Sequence, residues 1–288
     1  MVGETLEAPS ESPLRVYLAG GIALRGANGV TVGERAFAGR QARRLFVRLA
    51  AIHEAVPHVD LADDLWGPDW PPAWDGALRA LVSKLRSLLG RVGAAAALSS
   101  TSGAYALRLP AGAWLDLDAS TEAIHRAETA LSGGDLSGAC GWALAARAIA
   151  SRPLLPGEEA DWLERLRRHL ADVRLRSLEC LAEVWIAQGD AALAARDAAE
   201  AIDVDPFREH AYRLLIRAHL AAGDRGAAVR ALDACRRMLE GEFGVTPSLE
   251  TLDLIAPTRR PTSASIDVRG SGSPSRPPGR SASRRSGA

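Results

Sequence analysis

Only three cysteines occur in 288 residues, and only one lysine, Lys84, stands among the 35 basic side chains. Cys140, Cys180 and Cys235 are far apart, odd in number and without a CxxC pair. That pattern excludes a disulfide framework and a cysteine zinc site, and it leaves buried thiols of a reducing compartment. The histidines at 53, 58, 125, 169, 210 and 219 show no HExxH or other ligand spacing. A GxxxxGK[ST] loop and a GxSxG turn are also missing, and Gly20-Gly21 reads as a tight turn, not a nucleotide cradle. No catalysis, metal or cofactor is therefore expected. No apolar run approaches the roughly 18 residues of a membrane helix, since Arg147 breaks the alanine-rich stretch near 143–150. Residues 1–13 are acidic, with no basic start or apolar core, so they do not read as a signal peptide. A soluble, cytoplasmic protein is expected, and the scarcity of lysine reads as genome composition.

What is present is an ordinary core-forming composition, 47% apolar, and a net charge of zero that hides a segregation. Residues 14–112 carry twelve basic against seven acidic side chains, residues 113–257 sixteen against 24, and residues 258–288 seven against one. A basic front, an acidic middle and a basic tail suggest a nucleic-acid-facing module joined to one that need not touch nucleic acid.

Along the chain, Val16-Tyr17-Leu18, Ile22-Ala23-Leu24 and Val30-Thr31-Val32 are β-prone pieces punctuated by glycines, which predicts a small antiparallel sheet. Residues 39–50 place Ala42, Leu45, Phe46 and Leu49 on one side of a first amphipathic helix. Asp60 is read as the N-cap of a second helix that buries Leu61, Leu65 and Trp66 and stops at Gly67-Pro68. After Pro71-Pro72, residues 76–91 form a third helix, and Leu98 to Leu109 read as a hairpin turning at Thr101-Ser102-Gly103. Sheet, three helices and hairpin are the order of a winged helix. Trp66, Trp70 and Trp74 are read as core or rim packing.

The third helix carries the functional reading. At 100° per residue Leu78, Leu81, Val82, Leu85, Leu88 and Leu89 share one face. Arg79, Ser83, Arg86 and Ser87 share the other, with Lys84 on its flank and no acid. A major groove admits one helix, and a guanidinium grips guanine O6 and N7 with two bonds. Arg79, Ser83 and Arg86 are thus candidates for base readout, with Lys84 and Ser87 flanking. Taken alone, the segment reads first as a solvated surface helix carrying ordinary arginines. Thr101, Ser102 and Arg108 are candidate backbone contacts from a wing that is otherwise neutral, and Arg40 and Arg43 are further ones from the first helix.

The pieces GRQARRLFVRLA, LADDLWG, PP followed by ALRALVSKLRSLLG, and SGAYALRL resemble the OmpR-type DNA-binding domain of the antibiotic-regulatory protein (SARP) family of bacterial transcriptional activators. Beyond it, shifting the chain by 34 aligns Arg174 with Arg208, Leu181 with Leu215, Gly189-Asp190 with Gly223-Asp224, and Ala194 with Ala228. This is the tetratricopeptide period, and a less regular unit surrounds Gly134-Asp135. The run from Trp162 through FGVTPSLE is similar to the bacterial transcriptional activation domain of the same family.

The expected fold is mainly α with a small β component. It divides into a disordered N-terminus (1–13), a winged helix (14–112), a tetratricopeptide-like domain (113–257) and a disordered basic tail (258–288) that adds non-specific attraction to DNA or serves only for solubility. The resemblance implies an activator that binds direct repeats in double-stranded promoter DNA as a homo-oligomer and contacts RNA polymerase or its sigma factor, with no membrane partner. Relatives carry extra ATPase or phosphopeptide-binding domains, for which 288 residues leave no room, so no nucleotide or phosphorylation input is expected. The rival reading is an interaction scaffold whose winged helix has lost DNA.

Overall fold

The structure is a computed structural model that describes residues 14–255. The expectations of disorder for 1–13 and 258–288 fall outside those residues. Strands β1 (Arg15–Tyr17), β2 (Ala23–Arg25) and β3 (Thr31–Gly33) form the antiparallel meander that the alternation predicts. Val16, Leu24 and Val32 point into the core, while Arg15, Arg25 and Thr31 point out.

Helix α1 (Arg40–Ala51) is followed by a short strand β4 (Val56–Pro57), helix α2 (His58–Trp66) and helix α3 (Trp74–Arg91). The wing strands β5 (Leu98–Thr101) and β6 (Ala104–Leu107) pair with β4 in the order β4-β6-β5. Ser102 and Gly103 make the two-residue turn, both with positive φ (41° and 85°), the twist that suits a tight hairpin. Two boundaries differ from the sequence reading. Helix α2 starts at His58, because Pro57 is held in register opposite Ala104. Asp60 therefore lies in the first turn, where its charge favours the helix dipole, and is not the cap. Helix α3 starts at Trp74, two residues earlier than read.

A strand with no local signal, β7 (Trp114–Leu115), lies parallel to β1 and completes a sheet of order β3-β2-β1-β7. The helical run follows at once: α4 (Asp116–Ser132), α5 (Leu136–Ala150), α6 (Asp161–Gln188), α7 (Ala191–Val204), α8 (Glu209–Ala221), α9 (Arg225–Phe243) and α10 (Leu249–Asp253). The Gly-Asp turns at 134–135, 189–190 and 223–224 share one chemistry. Each glycine has positive φ, and Asp135, Asp190 and Asp224 accept from the backbone N–H of Gly138, Leu193 and Ala227 at 2.8 to 3.0 Å. Buried alanines, Ala139, Ala143 and Ala146 on α5 and Ala194, Ala198 and Ala201 on α7, let the helices approach closely. Helix α6 is 28 residues long; its first half precedes the repeat and packs against the winged helix. Leu45 and Phe46 of α1, Leu85 of α3, Ile124 of α4 and Leu163 of α6 all belong to one contiguous core.

Asp116 joins β1 to α4. It is fully buried, and its Oδ2 accepts from the backbone N–H of Leu18 and Ala19, each at 2.9 Å. Burial pushes its carboxyl above the ordinary carboxylate range, against the opposing effect of the N–H groups of Ala19, Leu18 and Leu117. Asp116→Ala strands two buried donors and is expected to cost about 2 to 4 kcal/mol. Asp116→Asn keeps an acceptor and is expected to stay within about 1 kcal/mol of wild type. Because the folded pKa lies above the unfolded one, the contribution of this carboxyl group is greatest below the unfolded pKa, where it is protonated, and is lost as pH rises through the folded value. Denaturant unfolding should therefore show wild type gaining on Asp116→Asn as pH falls through the range above the ordinary carboxylate pKa; a constant difference would contradict this placement.

Candidate nucleic-acid interface

Helix α3 buries Leu78, Val82, Leu85 and Leu89 and half-buries Leu81 and Leu88. The opposite side exposes Arg79, Ser83, Lys84, Arg86 and Ser87, together with Gly76 and Ala80. Long basic side chains thus alternate with small residues, and such a face can approach a groove closely. Trp70 and Trp74 meet at 5.0 Å beside the start of the helix, and Trp66 and Trp74 pack on the core.

The outward face differs from the sequence reading in two respects. Its first turn contains Asp75, which pairs with Arg79 at 2.7 Å. The Arg79 side chain is 68% exposed, so this i,i+4 pair is worth only about 0.3 to 0.5 kcal/mol and exchanges readily for another anion. Arg86 is less free: its Nη2 donates to the carbonyl of Leu98 at 3.2 Å, tying α3 to the edge strand of the wing.

The wing is docked instead of projecting. The carbonyl of Gly103 accepts from the N–H of His58 at 2.8 Å, and the His58 ring stacks on Tyr105 at 4.4 Å. Thr101 and Ser102 remain exposed at the tip. Arg108 lies at the hairpin's base, in a hollow shared with His53 and Asp118, away from the tip.

Arg40 and Arg43 are turned to acids of the chain itself. Arg40 pairs with Glu158 at 2.5 Å and Arg43 with Glu34 at 3.4 Å. Two further arginines on the same side of α1 go the same way. Arg44, 8% exposed, donates to the Asp64 carbonyl at 2.5 Å and lies 3.6 Å from Glu158; Arg48 pairs with the Asp64 carboxylate and sits over the Trp162 ring at 5.8 Å. Burial pulls the Arg44 guanidinium down from its ordinary value, opposed by Glu158. Burial likewise pushes the Asp64 carboxyl up, opposed by Arg48. The side of α1 expected to touch phosphates is a clasp onto the chain's own acids, buried at Arg44 and still exposed at Arg40.

Sequence order also missed two basic groups. Arg35 and Arg91 line a surface hollow of about 700 Å³ at the C-terminal end of α3. Helical spacing from Lys84 could have found Arg91; Arg35 comes from a different element, and only the fold brings it there. Cys180 and Cys235 are buried free thiols, pushed by burial to about 12 and about 11, and Cys140 is half-buried. Among the described residues no three His, Cys, Asp or Glu side chains are placed to hold a metal ion, and no helix is long and apolar enough to cross a membrane.

Residues 115–257 match the bacterial transcriptional activator domain. Over those residues the chain belongs to that family. It is similar to the regulatory protein AfsR of Streptomyces coelicolor, with 31% identity over 188 residues, 65% of this chain but only 18% of AfsR. Mycobacterium tuberculosis EmbR, solved in complex with a low affinity phosphopeptide, superposes with a TM-score of 0.75 at 21% identity. That match covers 84% of this chain and 64% of the EmbR chain, and it establishes a shared fold: mainly helical, with small N-terminal sheets followed by the bacterial transcriptional activator region. The family resemblance drawn from the sequence holds.

The α1 clasp can be tested directly. Glu158→Ala leaves Arg44 buried without its carboxylate and is expected to cost about 3 kcal/mol or more. Arg43→Ala, which breaks only an exposed pair, is expected to cost less than about 1 kcal/mol. Urea titrations of both variants check the contrast, which equal losses would remove.

Proposed function

We propose that this member of the bacterial transcriptional activator family is a sequence-specific DNA-binding regulator, an activator, that inserts α3 into the major groove of promoter DNA in the cytoplasm. The observation that carries the reading is the outward side of α3, where Arg79, Ser83, Lys84 and Ser87 stay exposed on a helix whose other side is locked into the core. Arg79 and Ser83 are assigned to base edges. Arg86, tethered to Leu98, sets the angle between helix and wing. Lys84, Ser87 and Arg91 follow the phosphates, and Thr101 and Ser102 bond a phosphate from the wing tip. Arg40 and Arg43 are left out because they pair with the chain's own acids, and Arg108 because it lies at the hairpin's base. The helical run, acidic overall, is assigned to protein contacts: a second protomer on adjacent direct repeats, and RNA polymerase or its sigma factor.

The neutral, docked wing favours the rival reading of an interaction scaffold, and the two differ in salt response. A DNA reader is retained on heparin or random duplex by the full chain and released by salt, with a slope set by the phosphates contacted; a scaffold is not retained. In mobility-shift titrations on the operator, Arg79→Ala should lose about 1 to 3 kcal/mol of specific binding with the fold intact. Lys84→Ala should weaken specific and random duplexes alike and lower the salt slope by about one. If Arg79→Ala binds its operator as wild type does, the assignment of this face fails.

A further inference from the structure

The connection between α5 and α6, one face of α6 and the end of α7 wall a cavity of about 490 Å³, within the range of small-molecule sites. Arg152, Arg167 and Arg174 line it, and no acid does. Their charges are not equally available. Arg167 donates to the carbonyls of Leu154 and Leu155 at 2.6 to 3.1 Å and pairs with Glu164 at 2.5 Å, so it serves the loop. Arg174 pairs with Glu200 at 2.8 Å, yet its Nε is buried with no hydrogen-bond partner. The ion pairs around the cavity engage Arg147, Arg167 and Arg174. Among the described residues none engages Arg152, which is exposed and whose stem lies over Gly20. The wall therefore offers three guanidinium groups, one of which, Arg152, is engaged by no ion pair. Facing them are the apolar surfaces of Leu154, Leu170, Ala171 and Val204.

We propose that this cavity binds a small organic monoanion, a carboxylate carried on an apolar body. A single excess charge matches one carboxylate, and the apolar wall rejects a compact inorganic ion, which would leave that surface uncovered. The place of the cavity gives occupancy a consequence. Its loop donates no rigid helix of its own but is held to the first sheet: the N–H of Gly20 donates to the Pro153 carbonyl at 2.8 Å, and Ala19 bridges to Leu154. The next residue past the cavity wall, Glu158, is the acid that receives Arg40 and Arg44. A ligand that fixes residues 151–157 therefore stiffens the junction between the winged helix and the helical run.

The experiment is calorimetric titration of the full chain with octanoate at constant ionic strength, paired with thermal melts. Saturable one-to-one binding and a rise in melting temperature are expected, with octan-1-ol binding more weakly. Arg152→Gln removes the free charge while keeping the stem atoms that lie over Gly20, and should weaken octanoate about tenfold. Ala171→Trp, at an exposed position of α6, fills the cavity and should abolish binding while the unliganded melting temperature stays near wild type. Octan-1-ol binding as tightly as octanoate, octanoate binding that survives both substitutions, or no saturable binding would overturn the proposal.

Discussion

Helix α1 has two jobs on opposite sides, and the architecture depends on both being done at once. Leu45, Phe46 and Leu49 form the platform on which α3 lies, while Arg40, Arg44 and Arg48, each four residues apart, reach Glu158, Asp64 and Trp162. Buried guanidinium groups are costly unless every partner is in place. The clasp therefore specifies one docking more than it adds stability, and any shift of α6 leaves Arg44 uncompensated. Asp116 repeats the principle at the other end of the junction, where a buried carboxylate receives two N–H groups from the end of β1. The winged helix and the helical run are joined by directional polar contacts laid over a continuous apolar core, so the orientation of α3 is set relative to the helical run.

This division of charge decides which arginines are free to act. Those of α1 are matched to acids, and all but Arg40 are half-buried or buried. Those of α3 are exposed and weakly matched. Asp75 holds Arg79 by a solvent-screened pair that a groove can replace, and the backbone contact of Arg86 leaves its charge intact. The segment count that gave a basic front was right in sum but misleading in location, because most of the surplus on α1 is spent inside the molecule.

Legibility followed the range of the interactions. The meander, the wing turn and the Gly-Asp turns rest on contacts between near neighbours, and each was readable: a glycine at positive φ followed by an aspartate capping three residues on is a local rule. The start of α2 was misplaced because Pro57 pairs with Ala104, far along the chain. Strand β7 is two residues whose only reason to be extended is β1, about a hundred positions away. The partners of Arg40 and Arg44 lie beyond the winged helix altogether, at Glu158. An amphipathic period shows that α1 has an apolar side; it carries no information on what an arginine stripe across from it will meet.

The docked wing limits what one protomer can read. With the tip held by His58 and carrying only Thr101 and Ser102, base discrimination on the proposed reading comes from α3 alone. Two or three side chains at about 1 to 3 kcal/mol each reach only the lower part of the roughly 4 to 10 kcal/mol that separates specific from random binding in typical regulators. Adjacent sites close that gap, since a second recognition helix on the same duplex adds its discrimination once the protomers contact one another. On the same reading the acidic helical run suits that contact: phosphates repel it, and its junction with α1 and α3 sets the spacing of a neighbour. On the proposed reading, repeated sites follow from a short wing, independent of any particular operator.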